Sequence, residues 1–120
     1  MLDENDLKQL ANIVQNTNIF IISDEVYEHI IFDGLKHNSL MTVPELQQRS
    51  FIVSSFGKTF HATGWKTGYC VAPKELTTEF RKIHQFVTFS TFTPLQYALA
   101  DFLKNPANYN GLSKFYEKKR

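Results

Sequence analysis

The first half of the chain shows two patterns of apolar residues in turn: the spacing of an amphipathic helix and then the continuous apolar run of a buried strand. A first helix, capped by Asp3 or Asn5, is predicted to end near residues 16–18. Its apolar residues have the i, i+3, i+4, i+7 spacing of one buried face: Leu7, Leu10, Ala11 and Val14. Residues 19–22 are all apolar, as expected of a strand covered on both faces in a parallel sheet. A polar, irregular stretch over residues 33–43 and a short helix over residues 44–48 then lead to a second strand at 51–54, which predicts a right-handed crossover between parallel strands.

The second half of the chain predicts one more strand and three helices. Residues 68–72 are predicted to form a third strand that Pro73 stops. A helix follows it, another begins after Pro94, and a last one begins near residue 106. The apolar faces of these helices are formed by Leu76, Phe80, Ile83 and Val87, by Leu95, Ala98, Leu99 and Phe102, and by Leu112, Phe115 and Tyr116. Phenylalanines at positions 86, 89 and 92 predict a core or an interface. The element order predicts an α/β fold.

Composition narrows the class of protein without identifying it. The chain has 120 residues, enough for one modest domain, and a formal net charge of +1, which gives no electrostatic case for binding nucleic acid or an anionic membrane. Cys70 is the only cysteine, so no intrachain disulfide is possible. The N-terminus is acidic rather than basic and apolar, and no apolar run approaches the roughly 20 residues that span a bilayer. These features predict a cytoplasmic protein.

The stretch from Ser55 to Lys66 carries the strongest chemical signal. It places Lys58 among small hydroxyl residues directly after a predicted strand, with a second cation at Lys66. This arrangement is typical of an anion site built around a reactive amine. Asp24 follows the other predicted strand, and open α/β sheets place their ligand sites at such strand ends. The sequence therefore predicts one site that contains Asp24 and Lys58.

Three motifs, in order, resemble the class I aminotransferases of the fold-type I pyridoxal phosphate (PLP) enzymes, near the methionine and kynurenine aminotransferases. The motifs are Ile22-Ser23-Asp24-Glu25-Val26-Tyr27-Glu28, Ser54-Ser55-Phe56-Gly57-Lys58-Thr59-Phe60 and Thr63-Gly64-Trp65-Lys66-Thr67-Gly68-Tyr69. The resemblance covers nearly the whole chain. It implies that residues 1–120 are part of the PLP-binding large domain, with a mostly parallel sheet, one antiparallel strand and flanking helices.

The resemblance also implies a role for each site residue. Lys58 would form the Schiff base with PLP and move the proton between the substrate Cα and the cofactor. Asp24 would keep the pyridine nitrogen protonated, because without that charge the ring is a poor electron sink. Tyr27 would donate its phenol to the cofactor O3′, and Ser55 and Lys66 would bind the phosphate. Most class I members have arginine at the position of Lys66. The lysine keeps the positive charge but lacks the bidentate fork of arginine, and it points to the kynurenine branch.

Other interpretations of these residues were weighed against that one. The sequence Gly57-Lys58-Thr59 matches the end of a nucleotide-binding P-loop, but the glycine required six residues before the lysine is Ile52. Taken singly, Lys58 is an ordinary solvated lysine, Asp24 caps a turn, and Tyr27 is a half-buried aromatic. The histidines show no metal spacing, and no carboxylate is obviously placed to orient one of them. His29, His37 and His84 are predicted to be surface or partly packed residues, and His61 an ordinary loop residue.

The resemblance also defines what these 120 residues lack. In the family, further phosphate-binding amides, an aromatic that stacks on the ring and an asparagine lie upstream, and the arginine that grips the substrate carboxylate lies downstream. We therefore expect a homodimeric parent that transaminates an amino acid of the methionine, aromatic, glutamine or kynurenine type with a 2-oxo acid, and an inactive isolated chain. Two alternatives stay open: a cysteine-conjugate C–S lyase, against which Tyr27 weighs, and a non-catalytic fragment that associates with itself.

Overall fold

The three strands form one mixed sheet whose strand order follows the chain. The computed structural model describes all 120 residues. Strands β1 (Ile21–Asp24), β2 (Ser50–Ser55) and β3 (Gly68–Val71) lie side by side in that order. Strand β1 is parallel to β2, and β3 is antiparallel to β2. The predicted α/β fold, the parallel pair and the antiparallel third strand are confirmed, although β3 ends one residue earlier than predicted.

All the predicted helices are present, with altered ends, and one short helix over Phe56–Thr59 that was not predicted follows β2. The helices are α1 (Glu4–Val14), α2 (Pro44–Gln47), α3 (Phe56–Thr59), α4 (Lys74–Val87), α5 (Thr93–Phe102) and α6 (Leu112–Glu117), with single 3-10 turns at Leu40–Thr42, Thr63–Trp65 and Pro106–Asn108. The predicted last helix is two separate pieces, because Tyr109 leaves the helical conformation at a φ of −136°. None of the helices has the length and apolar character needed to cross a membrane.

Helix α1 begins where the sequence predicts and ends earlier. The Asp3 carboxylate accepts hydrogen bonds from the backbone N–H groups of Asn5 and Asp6, at 2.7 and 2.8 Å, and the Asp6 carboxylate accepts one from the N–H of Asp3. This reciprocal arrangement satisfies amides that have no partner within the helix. At the other end, the hydroxyl and N–H of Thr17 both donate to the Val14 carbonyl, at 2.9 and 3.1 Å. That carbonyl is therefore the last of the helix.

The apolar core lies on one face of the sheet, beneath α1 and α2. Its buried members are Leu7, Val14, Leu40, Leu46 and Ile52. Leu46 on α2 is completely buried, and the Ser50 hydroxyl at the start of β2 donates to its carbonyl at 2.6 Å. The core thus fixes the helices and the 3-10 turn at residues 40–42 against β2, the strand that leads to the lysine segment.

Strand β1 begins two residues later than predicted. The Arg49 guanidinium donates to the carbonyls of Val14 and Thr17, at 2.8 and 2.9 Å, and so holds the approach to the strand as a loop. The first ladder bond runs from the Ile21 N–H to the Arg49 carbonyl. Ile22 points away from the core and is 76% exposed, so the prediction of a strand covered on both faces was wrong. Helices α1 and α2 cover only the face that bears Ile21.

The amphipathic pattern of the second half forms helices but little core. No residue of α4 is buried, and Phe80 on this helix contacts Phe51 on β2 with ring centroids 6.2 Å apart. Phe86, Phe89 and Phe92 are exposed by 70% or more. They are not part of the core of this chain, because Phe86 lies on a helix with no buried residue and Phe89 and Phe92 lie in the connection between α4 and α5. An interface is the one part of their prediction that stays open.

Candidate active site

The carboxyl ends of β1 and β2 carry two of the predicted site segments to the same edge of the sheet. Asp24 is the last residue of β1 and pairs with Val53 of β2. Two residues further, β2 ends at Ser55, and α3 follows directly with Lys58. Because β1 and β2 are parallel, the segments that follow them leave the sheet in the same direction.

The turn after β1 presents Asp24 and Tyr27 to solvent. Backbone hydrogen bonds from the N–H of Glu28 to the Glu25 carbonyl and from the N–H of Ile30 to the Tyr27 carbonyl, at 3.0 and 2.9 Å, close the turn. Asp24 is exposed, and Tyr27 is 56% exposed. Both line a cavity of about 500 Å³. One carboxylate oxygen of Asp24 accepts the N–H of Val26 at 3.2 Å, which is the local capping contact that the simpler interpretation of this residue predicts.

Glu25 fastens the inner side of the same turn. Its carboxylate is buried and accepts hydrogen bonds from the Ser23 hydroxyl at 3.0 Å and the Leu40 N–H at 3.2 Å, and it lies 2.7 Å from the His37 Nε2. Burial raises the pKa of Glu25, but the hydrogen bonds from His37 and its neighbours oppose this and bring the pKa below its ordinary value. The carboxylate is therefore charged and connects three separate segments of the chain.

Glu28 fastens the far end of the turn to the sheet. Its carboxylate accepts hydrogen bonds from the Ser54 hydroxyl, at 3.0 Å, and from the Tyr69 hydroxyl, and Ser54 and Tyr69 are paired neighbours on β2 and β3. The two glutamates of this turn are thus bonded inside the chain, whereas Asp24 and Tyr27 face outward. The turn is anchored in a way that leaves those two side chains available to a ligand.

Ser55 organises the lysine segment. Its hydroxyl accepts the Gly57 N–H at 3.0 Å at the start of α3 and donates to the Thr67 carbonyl at 3.4 Å. Gly57 lies so close to the returning chain that an added Cβ would fall 2.8 Å from the Thr63 Cα. Glycine is therefore required there, and the two arms of the loop, at residues 55–57 and 63–67, are held against each other.

Lys58 and Lys66 both extend into solvent and take part in no ion pair within the chain. Lys66 has a left-handed backbone, with φ of 52°, and directly precedes the residue whose carbonyl binds Ser55. The structure thus brings Asp24 close to Tyr27, and Ser55 close to the backbone next to Lys66. Ser55 lines a separate cavity of about 250 Å³, and neither lysine lines that cavity or the one beside Asp24.

The contact between Glu25 and His37 was missed by the sequence analysis. The prediction that no carboxylate orients a histidine was wrong for His37, which lies in the irregular stretch twelve residues after its partner. Nothing in the sequence fixes the path of that stretch, so no periodicity could have paired the two. His61 is exposed, and its Nδ1 lies 3.3 Å from the Tyr116 hydroxyl, which is consistent with an ordinary loop residue.

The pairing of Tyr69 with Glu28 predicts a loss of stability at high pH. Burial, together with the hydrogen bond to Glu28, raises the pKa of Tyr69 to about 12. Because the pKa is higher in the folded chain than in the unfolded chain, where it is about 10, this contribution to stability is complete below pH 10 and disappears as the pH rises through about 12. Ultraviolet titration of tyrosinate should show one late-ionising group that Tyr69→Phe removes. If Tyr69→Phe leaves the late phase intact, Tyr69 is not its source.

Comparison with known proteins gives the family directly. Residues 1–120 match the profile described as aminotransferase class I and II. The chain is 52% identical to the methionine aminotransferase of Escherichia coli over 116 residues, covering 96% of the chain and 30% of that protein. It is 38% identical to the kynurenine–oxoglutarate transaminase of Dictyostelium discoideum over 120 residues, covering 96% of the chain and 28% of that protein.

Solved structures agree with the sequence relatives. An Escherichia coli structure whose reactivity identified a methionine aminotransferase function superposes with a TM-score of 0.96 at 50% identity, covering 100% of this chain and 32% of the other. The N-succinyldiaminopimelate aminotransferase of Mycobacterium tuberculosis superposes with a TM-score of 0.92 at 32% identity, again covering 100% and 32%. The chain spans about 30% of the length of the curated relatives it matches. Over that span, sequence and fold agree, and the chain belongs to the aminotransferase class I and II family.

Proposed function

We propose that this chain is the cofactor-anchoring part of the large domain of a PLP-dependent aminotransferase. The reaction of that aminotransferase moves an amino group between an amino acid of the methionine, aromatic, glutamine or kynurenine type and a 2-oxo acid. Membership of the family supports this proposal. The observation that carries it is the parallel pairing of β1 with β2, because the segments that bear Asp24 and Lys58 leave the sheet at one edge.

The groups at this edge suit the chemistry of PLP. The cofactor has an anionic phosphate, a basic pyridine nitrogen, a phenolate oxygen and an aldehyde. The chain offers a hydroxyl and a cation at Ser55 and Lys66, a carboxylate at Asp24, a phenol at Tyr27 and an amine at Lys58. The loop that carries Ser55 and Lys66 is closed where Gly57 meets Thr63, and a side chain at position 57 would not fit there. The donor set therefore fits the cofactor.

Lys58 has the central chemical role in this proposal. When bound, PLP supplies an aldehyde that bonds to amines and a ring that accepts electrons from the substrate Cα. Lys58 would hold the cofactor by condensing with its aldehyde, with loss of one water, and would be released when the amino group of the substrate takes its place. Its freed amine would then be the group that moves the proton between the substrate Cα and the cofactor. Exposure of Lys58 at the start of the loop is consistent with this movement.

Asp24 and Tyr27 act on the ring from the neighbouring strand. The Asp24 carboxylate holds a proton on the pyridine nitrogen, and this positive charge lets the ring accept electrons. Tyr27 donates its hydroxyl to the phenolate oxygen. Because Glu25 and Glu28 anchor the turn through bonds within the chain, Asp24 and Tyr27 need no contacts with one another to keep their places.

Ser55 and Lys66 bind the phosphate. The Ser55 hydroxyl would exchange its bond to the Thr67 carbonyl for one to a phosphate oxygen, and Lys66 supplies charge without the fixed fork of an arginine. The Phe56 N–H donates to the same Thr67 carbonyl at 3.2 Å and keeps the two arms of the loop together. Phosphate affinity therefore depends on the loop closing as one unit.

The same proposal includes a second copy of the chain and a cytoplasmic location. The homodimer is supported by the aromatic side chains of Phe86, Phe89 and Phe92, which are exposed on one segment. The cytoplasmic location is supported by the single cysteine, which rules out an intrachain disulfide.

The test is to mix the purified 120-residue chain with PLP, methionine and a 2-oxo acid. We expect the chain to turn yellow with PLP, through the bond to Lys58. We expect no turnover above that of free PLP, because no residue here replaces the arginine that grips the substrate carboxylate in the family. A colourless chain would contradict the cofactor assignment. Measurable turnover would show that 120 residues suffice for amino transfer and would contradict the division of roles.

A further inference from the structure

The contact of Glu25 with His37 has no part in the proposed chemistry, yet it lies beside the residues that do. All four side chains, Asp24, Glu25, Tyr27 and His37, line the same cavity. Glu25 is next to Asp24 in the chain, and its own N–H extends the sheet by donating to the Val53 carbonyl at 2.8 Å. The position of the Glu25 carboxylate therefore determines how the chain leaves β1.

The Glu25 carboxylate is fixed from three directions. The Ser23 hydroxyl, two residues earlier on β1, donates to one carboxylate oxygen at 3.0 Å, and the Leu40 N–H donates to the same oxygen at 3.2 Å. His37 holds the other oxygen at 2.7 Å, and its imidazole is partly buried. Leu40 belongs to the core, so the turn is tied through Glu25 to a rigid part of the molecule. His37 is the only one of these donors whose side chain comes from the irregular stretch at residues 33–43.

We propose that His37 and Glu25 are positioning residues, which orient Asp24 toward the pyridine nitrogen of the cofactor by locking the turn that follows β1. The proposal depends on the proposed function, because it assigns a purpose to the turn only if Asp24 meets that nitrogen. His37 donates through its Nε2 and fills the second oxygen of Glu25, so the carboxylate cannot rotate. Without that donor, Glu25 loses its contact at 2.7 Å, and the turn gains freedom at Asp24.

The test compares the affinity of the chain for PLP and for its 1-deaza analogue, in which carbon replaces the pyridine nitrogen. The wild-type chain should prefer PLP by about tenfold or more, the value of one charge-assisted hydrogen bond. Asp24→Asn is the reference variant and should lose this preference. His37→Phe should lose most of it as well, whereas His37→Gln keeps an N–H donor and should retain it. His84→Phe, the same change on α4, is the matched control and should behave as wild type.

The outcomes separate this inference from the proposed function. If wild type shows the preference, Asp24→Asn loses it, and His37→Phe keeps it, the positioning role is refuted while the cofactor assignment stands. If His37→Phe lowers the affinity for PLP and for the 1-deaza analogue equally, the positioning role is also refuted, since a general loss of structure affects the binding of both compounds alike. If wild type binds neither compound, the proposed function fails first.

A second measurement needs no variant and covers the case in which His37→Phe does not fold. The amide N–H of Val26 donates to Asp24, and that of Leu40 donates to Glu25, both at 3.2 Å. In nitrogen-15 NMR spectra of the wild-type chain, addition of PLP should shift both signals together. A shift of the Val26 signal with the Leu40 signal unchanged would show that the turn and its anchor are not coupled, and would overturn the proposal.

Discussion

Reduction with borohydride after mixing with PLP should leave one phosphopyridoxyl group on Lys58, and Lys58→Ala should abolish it. The bond is favoured where an amine lies at the right separation from a phosphate site, and the loop from Ser55 to Lys66 provides both. Intact mass and peptide mapping report the adduct and its position. The expected effect of Lys58→Ala is complete, since the only other amine of that segment, the one on Lys66, is assigned to the phosphate.

Exposed lysines elsewhere test whether the reaction is specific. Lys74, at the start of α4, is exposed and lies outside the loop. Lys74→Ala should leave the adduct unchanged. An adduct spread over many lysines in wild type, or one that survives Lys58→Ala in full, would mean that PLP reacts with surface amines and that Lys58 has no special role.

Asp24→Asn should lower the affinity of the chain for PLP by about tenfold to hundredfold. A carboxylate opposite a protonated ring nitrogen forms a charge-assisted hydrogen bond, and asparagine keeps the shape but loses the charge. Absorbance titration measures the affinity, and circular dichroism checks that the fold is intact. The adduct on Lys58 should still form at high PLP concentration, because the covalent bond does not involve Asp24.

Glu45→Gln is a suitable control for this change. Glu45 is an exposed carboxylate near the start of α2, away from the site edge. It should bind PLP as wild type does. If Asp24→Asn binds PLP as tightly as wild type does, the carboxylate caps its own turn through Val26 and does nothing more.

The sequence was most informative where a local rule operates. The Asp3 cap, the strand before Lys58 and the end of β3 before Pro73 follow from hydrogen-bonding groups and periodicity within a few residues, and the structure has them within one or two positions. Lys58 and Lys66 lie on the segment between β2 and β3, so their place next to strand ends was also accessible from sequence.

The sequence was least informative where distant segments decide the outcome. The start of β1 depends on Arg49, which binds the carbonyls of Val14 and Thr17 from more than 30 residues away. The contact of Glu25 with His37 depends on the path of an irregular stretch. The exposure of Ile22 and Phe86 depends on which elements pack against the sheet and against α4. An apolar face predicts that something covers it, but not whether the covering element belongs to the same chain.

The most direct measurement is a crystal structure of the chain after PLP and borohydride have been added. The account predicts one reduced cofactor attached to the Lys58 Nζ, with its pyridine nitrogen about 2.7–2.9 Å from an Asp24 carboxylate oxygen. A cofactor attached to Lys58 whose ring nitrogen points into solvent, with Asp24 bound only to its own turn, would contradict the claim that these two residues hold the same molecule.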